Sequence, residues 1–322
     1  MIFRSKKADG DLDAMRRNLR DRHEAGLALV ERAAGRPRKT AIGASDSSGL
    51  PEAESADLTP ELVRSGIARG GCLLVRGLLD PDAAVELAEG VDRAYEARES
   101  ATAGGAPDRR YFEEFEPDPR FDLAFERAIV GSGGGAGLWL ADSPLMTLQI
   151  LEAFERTGLT RLASEYLGER PVLSVNKSLL RKVRPTLFED SSGGSGGKAS
   201  AWHQDGAFMG DVNALNVWLS LSRCGDQAPG LDIVPRRLQG IVRTGTEGAA
   251  FDWSASRAVA EEAAGQVGIA RPIFDPGDAL LFDELLLHST AAEPDMPSVR
   301  YAVESWFFGP SGFPPDYAPL AV

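Results

Sequence analysis

Residues 202–222 read WHQDGAFMGDVNALNVWLSLS, and two patterns in this stretch decide the fold. Val217, Leu219 and Leu221 alternate with Asn216, Trp218 and Ser220, the period of two that a β-strand imposes. Just upstream, His203 and Asp205 are separated by one residue. On extended backbone such a pair projects from one face, so an imidazole nitrogen and a carboxylate oxygen can grip one cation from the same side.

The same texture extends outward on both sides. Short alternating or apolar runs between Gly/Pro turns predict strands at 172–183, 213–222, 231–234, 271–274, 278–283 and 299–308. Upstream the signals are helical. Thr59-Pro60, Asp80-Pro81 and Ser143-Pro144 pair a capping side chain with a first-turn proline, and Gly70-Gly71 and Gly168 supply stops. In the second helix Val85, Ala88, Val91 and Tyr95 are the expected apolar face. Helices first and strands after predict an α+β fold, a helical layer (59–168) packed on a β-sandwich or barrel (170–310). Residues 10–34 read as an amphipathic helix with His23 on its wet face, and 35–58 as an aperiodic strap. The expected organisation is therefore a 1–58 extension before one domain, 59–322. The Gly/Ser run at 190–200, directly before the His203 motif, is expected to act as a lid.

Composition limits the function. The chain has 322 residues, with 48 acidic against 35 basic side chains and a formal net charge of −13. That balance disfavours nucleic acid and anionic membranes as partners. No apolar run is long enough to span a bilayer, and the N-terminus lacks the apolar core of a secretory signal. The two cysteines, Cys72 and Cys224, cannot build a disulfide framework; reduced buried thiols fit a cytoplasmic protein. The partner expected is a small-molecule substrate. Only three histidines occur, His23, His203 and His288, so all imidazole chemistry must come from them.

His288 ends the run DALLFDELLLH, read as the end of a second strand. Two histidines and one carboxylate form the facial triad of non-haem Fe(II) oxygenases, which leaves metal positions open for co-substrate and O2. About a dozen residues later Arg300 opens RYAVESWFF, expected to pair beside the His288 strand. A guanidinium fork there matches the far carboxylate of 2-oxoglutarate. Taken singly, each feature has an ordinary explanation: a chance dipeptide pattern, a core histidine, a surface cation. The joint order His-x-Asp, distant His, then Arg is much harder to produce by accident.

These motifs resemble the phytanoyl-CoA dioxygenase (PhyH-like) branch of the Fe(II)/2-oxoglutarate-dependent oxygenases, over most of the chain from about residue 60. GCLLVRGLLDPDAAVELAEGVD (71–92) resembles the family's N-terminal segment and WHQDGAF (202–208) its first metal motif. NVWLSLSRCGDQAPGLDIVPRRL (216–238) resembles its central strand pair, and PGDALLFDELLLHSTAAEP (276–294) with SVRYAVESWFF (298–308) its second His and Arg motif. The resemblance implies a double-stranded β-helix (jelly-roll, cupin-like) core buttressed by the N-terminal helices. It implies iron ligands at His203, Asp205 and His288, a 2-oxoglutarate anchor at Arg300, a hydroxyl donor to the same carboxylate at Thr290, and an indole near the co-substrate at Trp218. For Trp218 an ordinary core role is equally open. The activity implied is oxidation of an unactivated C–H of a small metabolite or natural-product intermediate, with 2-oxoglutarate and O2 converted to succinate and CO2. Asp205 stands where halogenating relatives carry a small residue, which argues for hydroxylation or a related oxidation. The sequence departs from the family pattern at Pro235-Arg236-Arg237 and at Glu293.

Competing functions are a cupin-type metal-dependent isomerase or hydrolase without 2-oxoglutarate, and a non-catalytic binding barrel. Other signals are weaker. The glycine run after Gly131 lacks the surrounding elements of a nucleotide loop. Asp278 reads as turn chemistry after Pro276-Gly277. Asp211, Asn213 and Asn216 fit either substrate contact or turn and edge roles. Arg181, Lys182 and Arg184 either meet an anionic substrate or are solvated.

Overall fold

The computed structural model describes residues 11–35, 42–45, 48–132, 137–185, 201–293 and 295–322. The run expected as a lid at 190–200 lies outside them, as do residues 133–136 of the glycine run.

Eight helices occur among the described residues: α1 (Leu12–Ala33), α2 (Pro60–Gly70), α3 (Pro81–Thr102), α4 (Ala124–Ser132), α5 (Pro144–Arg156), α6 (Leu159–Leu167), α7 (Gly206–Met209) and α8 (Arg257–Ala264). The capping logic holds at two of the three starts; Ser143 precedes α5, but its hydroxyl makes no capping bond. Thr59 Oγ1 accepts the Leu62 amide at 3.1 Å and Asp80 accepts Asp82 N at 3.1 Å. Gly71 and Gly168 close α2 and α6 in the left-handed region. In α3 Val91 and Tyr95 of the expected face are buried, together with Ala84, Leu87 and Ala94, whereas Ala88 is half-buried and Val85 is exposed. His23 is not on a wet face. It is 4% exposed, Nδ1 meets the Pro319 carbonyl at 2.7 Å, and Nε2 accepts Asp118 N at 3.0 Å.

The strands are β1 (Glu52–Glu54), β2 (Cys72–Arg76), β3 (Leu138–Trp139), β4 (Val172–Val183), β5 (Ala214–Ser220), β6 (Gly230–Ile233), β7 (Ala279–Phe282), β8 (His288–Ala291), β9 (Arg300–Phe308) and β10 (Pro319–Ala321). The larger sheet runs β1-β2-β7-β5-β9-β4-β10, with β3 added on β4. The pair β1–β2 is parallel and all others are antiparallel. Residues 52–54, inside the stretch read as a strap, thus form an edge strand. The smaller sheet pairs β6 with β8 and is lengthened by bridges of His203 to His288 and Trp202 to Ala255.

Strand β5 is buried along its whole length, so both of its faces are covered. Leu215, Val217 and Leu219 pack with Leu87, Val91 and Phe154 of the helical layer. Trp218 packs on the other side with Leu280, Phe282, Ala302, Trp306 and Phe308, against Leu231 and Ile233 of the smaller sheet. That second cluster is the interior of the barrel.

Two strand expectations are corrected. Residues 271–274 form no strand; Phe274 makes only an isolated bridge with Cys224. The run DALLFDELLLH is not one strand. It leaves the larger sheet after Phe282, turns, and enters the smaller sheet at His288. Asp283 causes the break: its carboxylate accepts the Leu285 amide at 3.1 Å and pairs with buried Arg237 at 2.6 Å. Arg237, in the stretch that departs from the family pattern, is therefore a buried structural cation. In consequence β9 pairs with β5 and β4, not with the His288 strand. Gly277 makes the preceding turn possible: at φ +94°, a Cβ there would lie 2.0 Å from the Leu79 carbonyl oxygen. Asp278 does the turn chemistry expected of it, accepting Gly77 N at 2.9 Å and Asp275 N at 2.9 Å. No helix among the described residues is long and apolar enough to cross a membrane.

Candidate metal centre

His203, Asp205 and His288 come together as the sequence predicts, with ligand atoms all within 4.8 Å of one another. Asp205 lies 3.8 Å from His203 Nε2 through Oδ1 and 3.9 Å from His288 Nε2 through Oδ2. The means differ from expectation. The backbone is extended only as far as His203; Asp205 already has helical dihedrals and opens α7, with its carbonyl accepting Met209 N at 2.9 Å. A tight turn, rather than strand alternation, brings the carboxylate beneath the imidazoles.

Gln204, which sequence reading passed over, holds this turn. It is 1% exposed and fully bonded: Nε2 donates to the Gly240 and Leu285 carbonyls at 3.1 and 2.8 Å, and Oε1 accepts Val242 N at 2.7 Å. Gly206 N donates to the Glu284 carbonyl at 2.9 Å. The turn is thereby tied to the break that delivers His288.

Both rings are oriented the same way. His203 Nδ1 lies 3.0 Å from the Ala201 carbonyl and His288 Nδ1 3.0 Å from the Leu286 carbonyl. A carbonyl only accepts, so each Nδ1 carries the proton and each Nε2 keeps its lone pair toward the cluster. Burial, with His203 nearby, holds the His288 pKa down to about 3. Burial pushes Asp205 up to about 6, against the opposing pull of His203. Asp205 Oδ2 is buried with no hydrogen-bond partner. Two neutral imidazole nitrogens and an orphaned carboxylate oxygen form a donor set that fits a divalent cation of the iron type.

Arg300 is 2% exposed and lines the barrel interior from β9. Nη1 donates to the Gly230 carbonyl at 2.8 Å, and Nε is buried without a partner. Its guanidinium stands 5.5 Å from the Trp218 ring, which also packs 4.8 Å from Phe274. Burial lowers its pKa to about 10. Among the described residues no carboxylate pairs with it. Thr290 shares the His288 face of β8, and its register partner Leu231 adjoins Gly230. Arg300, Trp218 and Thr290 therefore gather at one end of the interior.

Two further residues line the interior. Glu304, directly across from Trp218, accepts Arg181 Nε and Nη2 at 3.0 and 2.6 Å. Burial pushes Glu304 up, but Arg181 outweighs it, and the carboxyl lies below its ordinary range. Lys182, next to Arg181, points to the helical side and pairs with Asp92. Asn213 is occupied structurally, reaching Leu167 O and Glu169.

No protein-family model and no curated protein sequence matches the chain. Solved structures do. The non-haem α-ketoglutarate-dependent carbocyclase SnoK from nogalamycin biosynthesis superposes with a TM-score of 0.50 at 14% identity, covering 81% of this chain and 87% of that one. EctD from S. alaskensis, solved with 2-oxoglutarate and 5-hydroxyectoine, gives a TM-score of 0.49 at 16% identity over 87% and 91% of the two chains. AviO1 from Streptomyces viridochromogenes Tue57 gives 0.45 at 17% identity over 80% and 98%. Sheet topology, buried interior and likeness to SnoK agree: the chain has a double-stranded β-helix fold, shared with that α-ketoglutarate-dependent carbocyclase.

Proposed function

We propose that this protein is an Fe(II)/2-oxoglutarate-dependent dioxygenase that hydroxylates an unactivated C–H of a small metabolite or natural-product intermediate. The observation that carries the reading is Arg300, a buried cation with no carboxylate partner among the described residues, on the wall facing a two-histidine, one-carboxylate cluster. An unpaired buried charge is expensive, and a bound dianion is what removes that cost.

His203, His288 and Asp205 would hold the iron, which with 2-oxoglutarate and O2 supplies the oxidising chemistry. The two Nδ1–H bonds to backbone carbonyls fix the imidazole planes. Arg300 takes the far carboxylate of 2-oxoglutarate, Trp218 stands beside it, and Thr290 offers a hydroxyl from β8. Phe282, 5.1 Å from the His288 ring, keeps water off that side.

A metal-dependent isomerase or hydrolase on the same barrel would have no use for Arg300, and a binding barrel no use for three converging ligands. SnoK is a carbocyclase, so the fold also hosts outcomes other than hydroxylation, and the product must be identified. The test is succinate release from 2-oxoglutarate with Fe(II), ascorbate and O2 across a metabolite library, with product masses read in parallel. Succinate with a product sixteen mass units heavier supports hydroxylation. No succinate under any condition sinks the oxygenase reading.

A further inference from the structure

The mouth of the metal cluster carries a cation that the proposed chemistry leaves unused. Lys177, on β4, holds its ammonium 5.0 Å from the ring centres of both Phe208 and Tyr317. Phe208 is tied to the metal turn, its amide donating to the Asp205 carbonyl at 3.1 Å and its ring stacking 6.3 Å from His203. Trp253 stands edge-on to both rings, 5.7 Å from His203 and 5.3 Å from Phe208, and Phe251 stacks flat on Trp253 at 4.8 Å. Phe208, Phe251 and Trp253 are all more than a third exposed. Three large rings clustered beside the candidate metal cluster form an apolar face that is partly exposed among the described residues.

Both contacts are with ring faces, and no carboxylate pairs with Lys177 among the described residues. Arg181 is taken by Glu304, and Arg300 is assigned to the co-substrate. Among the described residues Lys177 thus stands at this mouth with neither a carboxylate partner nor a role in holding the co-substrate.

We infer that Lys177 is a substrate-anchoring residue that binds a carboxylate, borne on a flat apolar body resting against Phe208 and Trp253. The substrate class is a free aromatic or polycyclic carboxylic acid. A neutral ester or amide offers the Lys177 ammonium no counter-charge, and a CoA thioester brings several phosphates to a single point charge. This deepens the proposed function and rests on it for the assignment of Arg300 to the co-substrate.

The test uses the full chain with Ni(II) and excess 2-oxoglutarate, so that the Arg300 end is filled. Indole-3-acetate and 2-naphthoate are titrated against their primary amides, followed by tryptophan fluorescence and saturation-transfer NMR. The wild type is expected to bind the acids roughly ten- to a hundred-fold more tightly than the amides, as for one charge-assisted hydrogen bond. K177M should lose that preference and K177R should keep it. Equal binding of acids and amides, a preference that survives in K177M, or no binding of either acid overturns the assignment. Succinate release without added substrate is measured in parallel. Acid preference without succinate defeats the oxygenase reading alone, and succinate without acid preference defeats the anchor alone.

Discussion

His203 and His288 exchange both of their backbone hydrogen bonds, His203 N to His288 O at 2.9 Å and His288 N to His203 O at 3.0 Å. Two residues far apart in the chain are thus locked as one antiparallel pair, and their ring centres come to 4.3 Å. The imidazoles are placed by main chain, so changing one side chain should leave the other in position.

That arrangement gives the first prediction. H203A, H288A and D205A should each remain folded and lose metal binding by more than the ~10–100-fold typical of losing an outer partner of a ligand. Cobalt(II) titration followed by visible absorption checks this. Wild-type affinity in all three variants would place the metal elsewhere.

The pH dependence follows from Asp205. Its carboxyl titrates near pH 6 without metal, and only the ionised form is a ligand. The raised value means the proton is held more tightly than in an unfolded chain. Metal affinity is therefore full above pH 6 and weakens as pH falls through it, by roughly tenfold per further unit for a single competing proton. His288, held near pH 3, does not compete in this range. Metal titrations from pH 7.5 to 5 read the effect, and a flat profile contradicts it.

Arg300 should separate co-substrate from metal. R300M is expected to raise the 2-oxoglutarate KM roughly ten- to a hundred-fold, the equivalent of ~1.5–3 kcal/mol for hydrogen bonds to a charged group. Cobalt(II) binding should be unaltered. R300K, which keeps charge but loses the fork, should fall between. Loss of metal binding in R300M would show a structural role instead.

His23 predicts acid sensitivity remote from the metal. Burial lowers its pKa, and Nε2 must stay unprotonated to accept Asp118 N. A lowered histidine pKa favours the folded state above the unfolded value of ~6.5 and loses that advantage as pH drops below it. Wild-type denaturation midpoints should decline from pH 7 to 5. H23A should be less stable at pH 7 by about 1–3 kcal/mol, the cost of a buried group left unpaired, with a shallower acid slope. Parallel slopes would rule His23 out as the sensor.

The Arg237–Asp283 pair, both side chains nearly fully buried, should behave as a coupled unit. Removing one partner, as in R237M or D283N, is expected to cost about 3–5 kcal/mol, and an apolar double replacement considerably less. Chemical denaturation of the two singles and the double decides it. Additive losses would mean that the two residues act separately.

The legible and illegible parts of the fold divide along physical lines. Period-two alternation in β5 and the Asp80-Pro81 and Thr59-Pro60 starts depend on near neighbours, and they read correctly. The convergence of His203, Asp205 and His288 was legible because so few histidines exist. Sheet membership was not. An apolar run such as ALLFDELLL has no local mark of where one strand stops, and only Arg237, distant in sequence, makes Asp283 a break. His23 misled for the same reason: among charged neighbours it looked solvated, and its partners at 118 and 319 lie on remote segments. Gln204, Lys177 and Glu304 carried no pattern, since their roles come from what folding brings opposite them.

The break after Phe282 assigns the proposed ligands and their counter-cation to different walls: His203 and His288 belong to the smaller sheet, Arg300 to the larger. A dicarboxylate gripped at both ends would clasp the sandwich shut like a rivet. Remote substitutions that let the walls drift apart should then weaken that clasp while the ion, seated in a single wall, hardly notices.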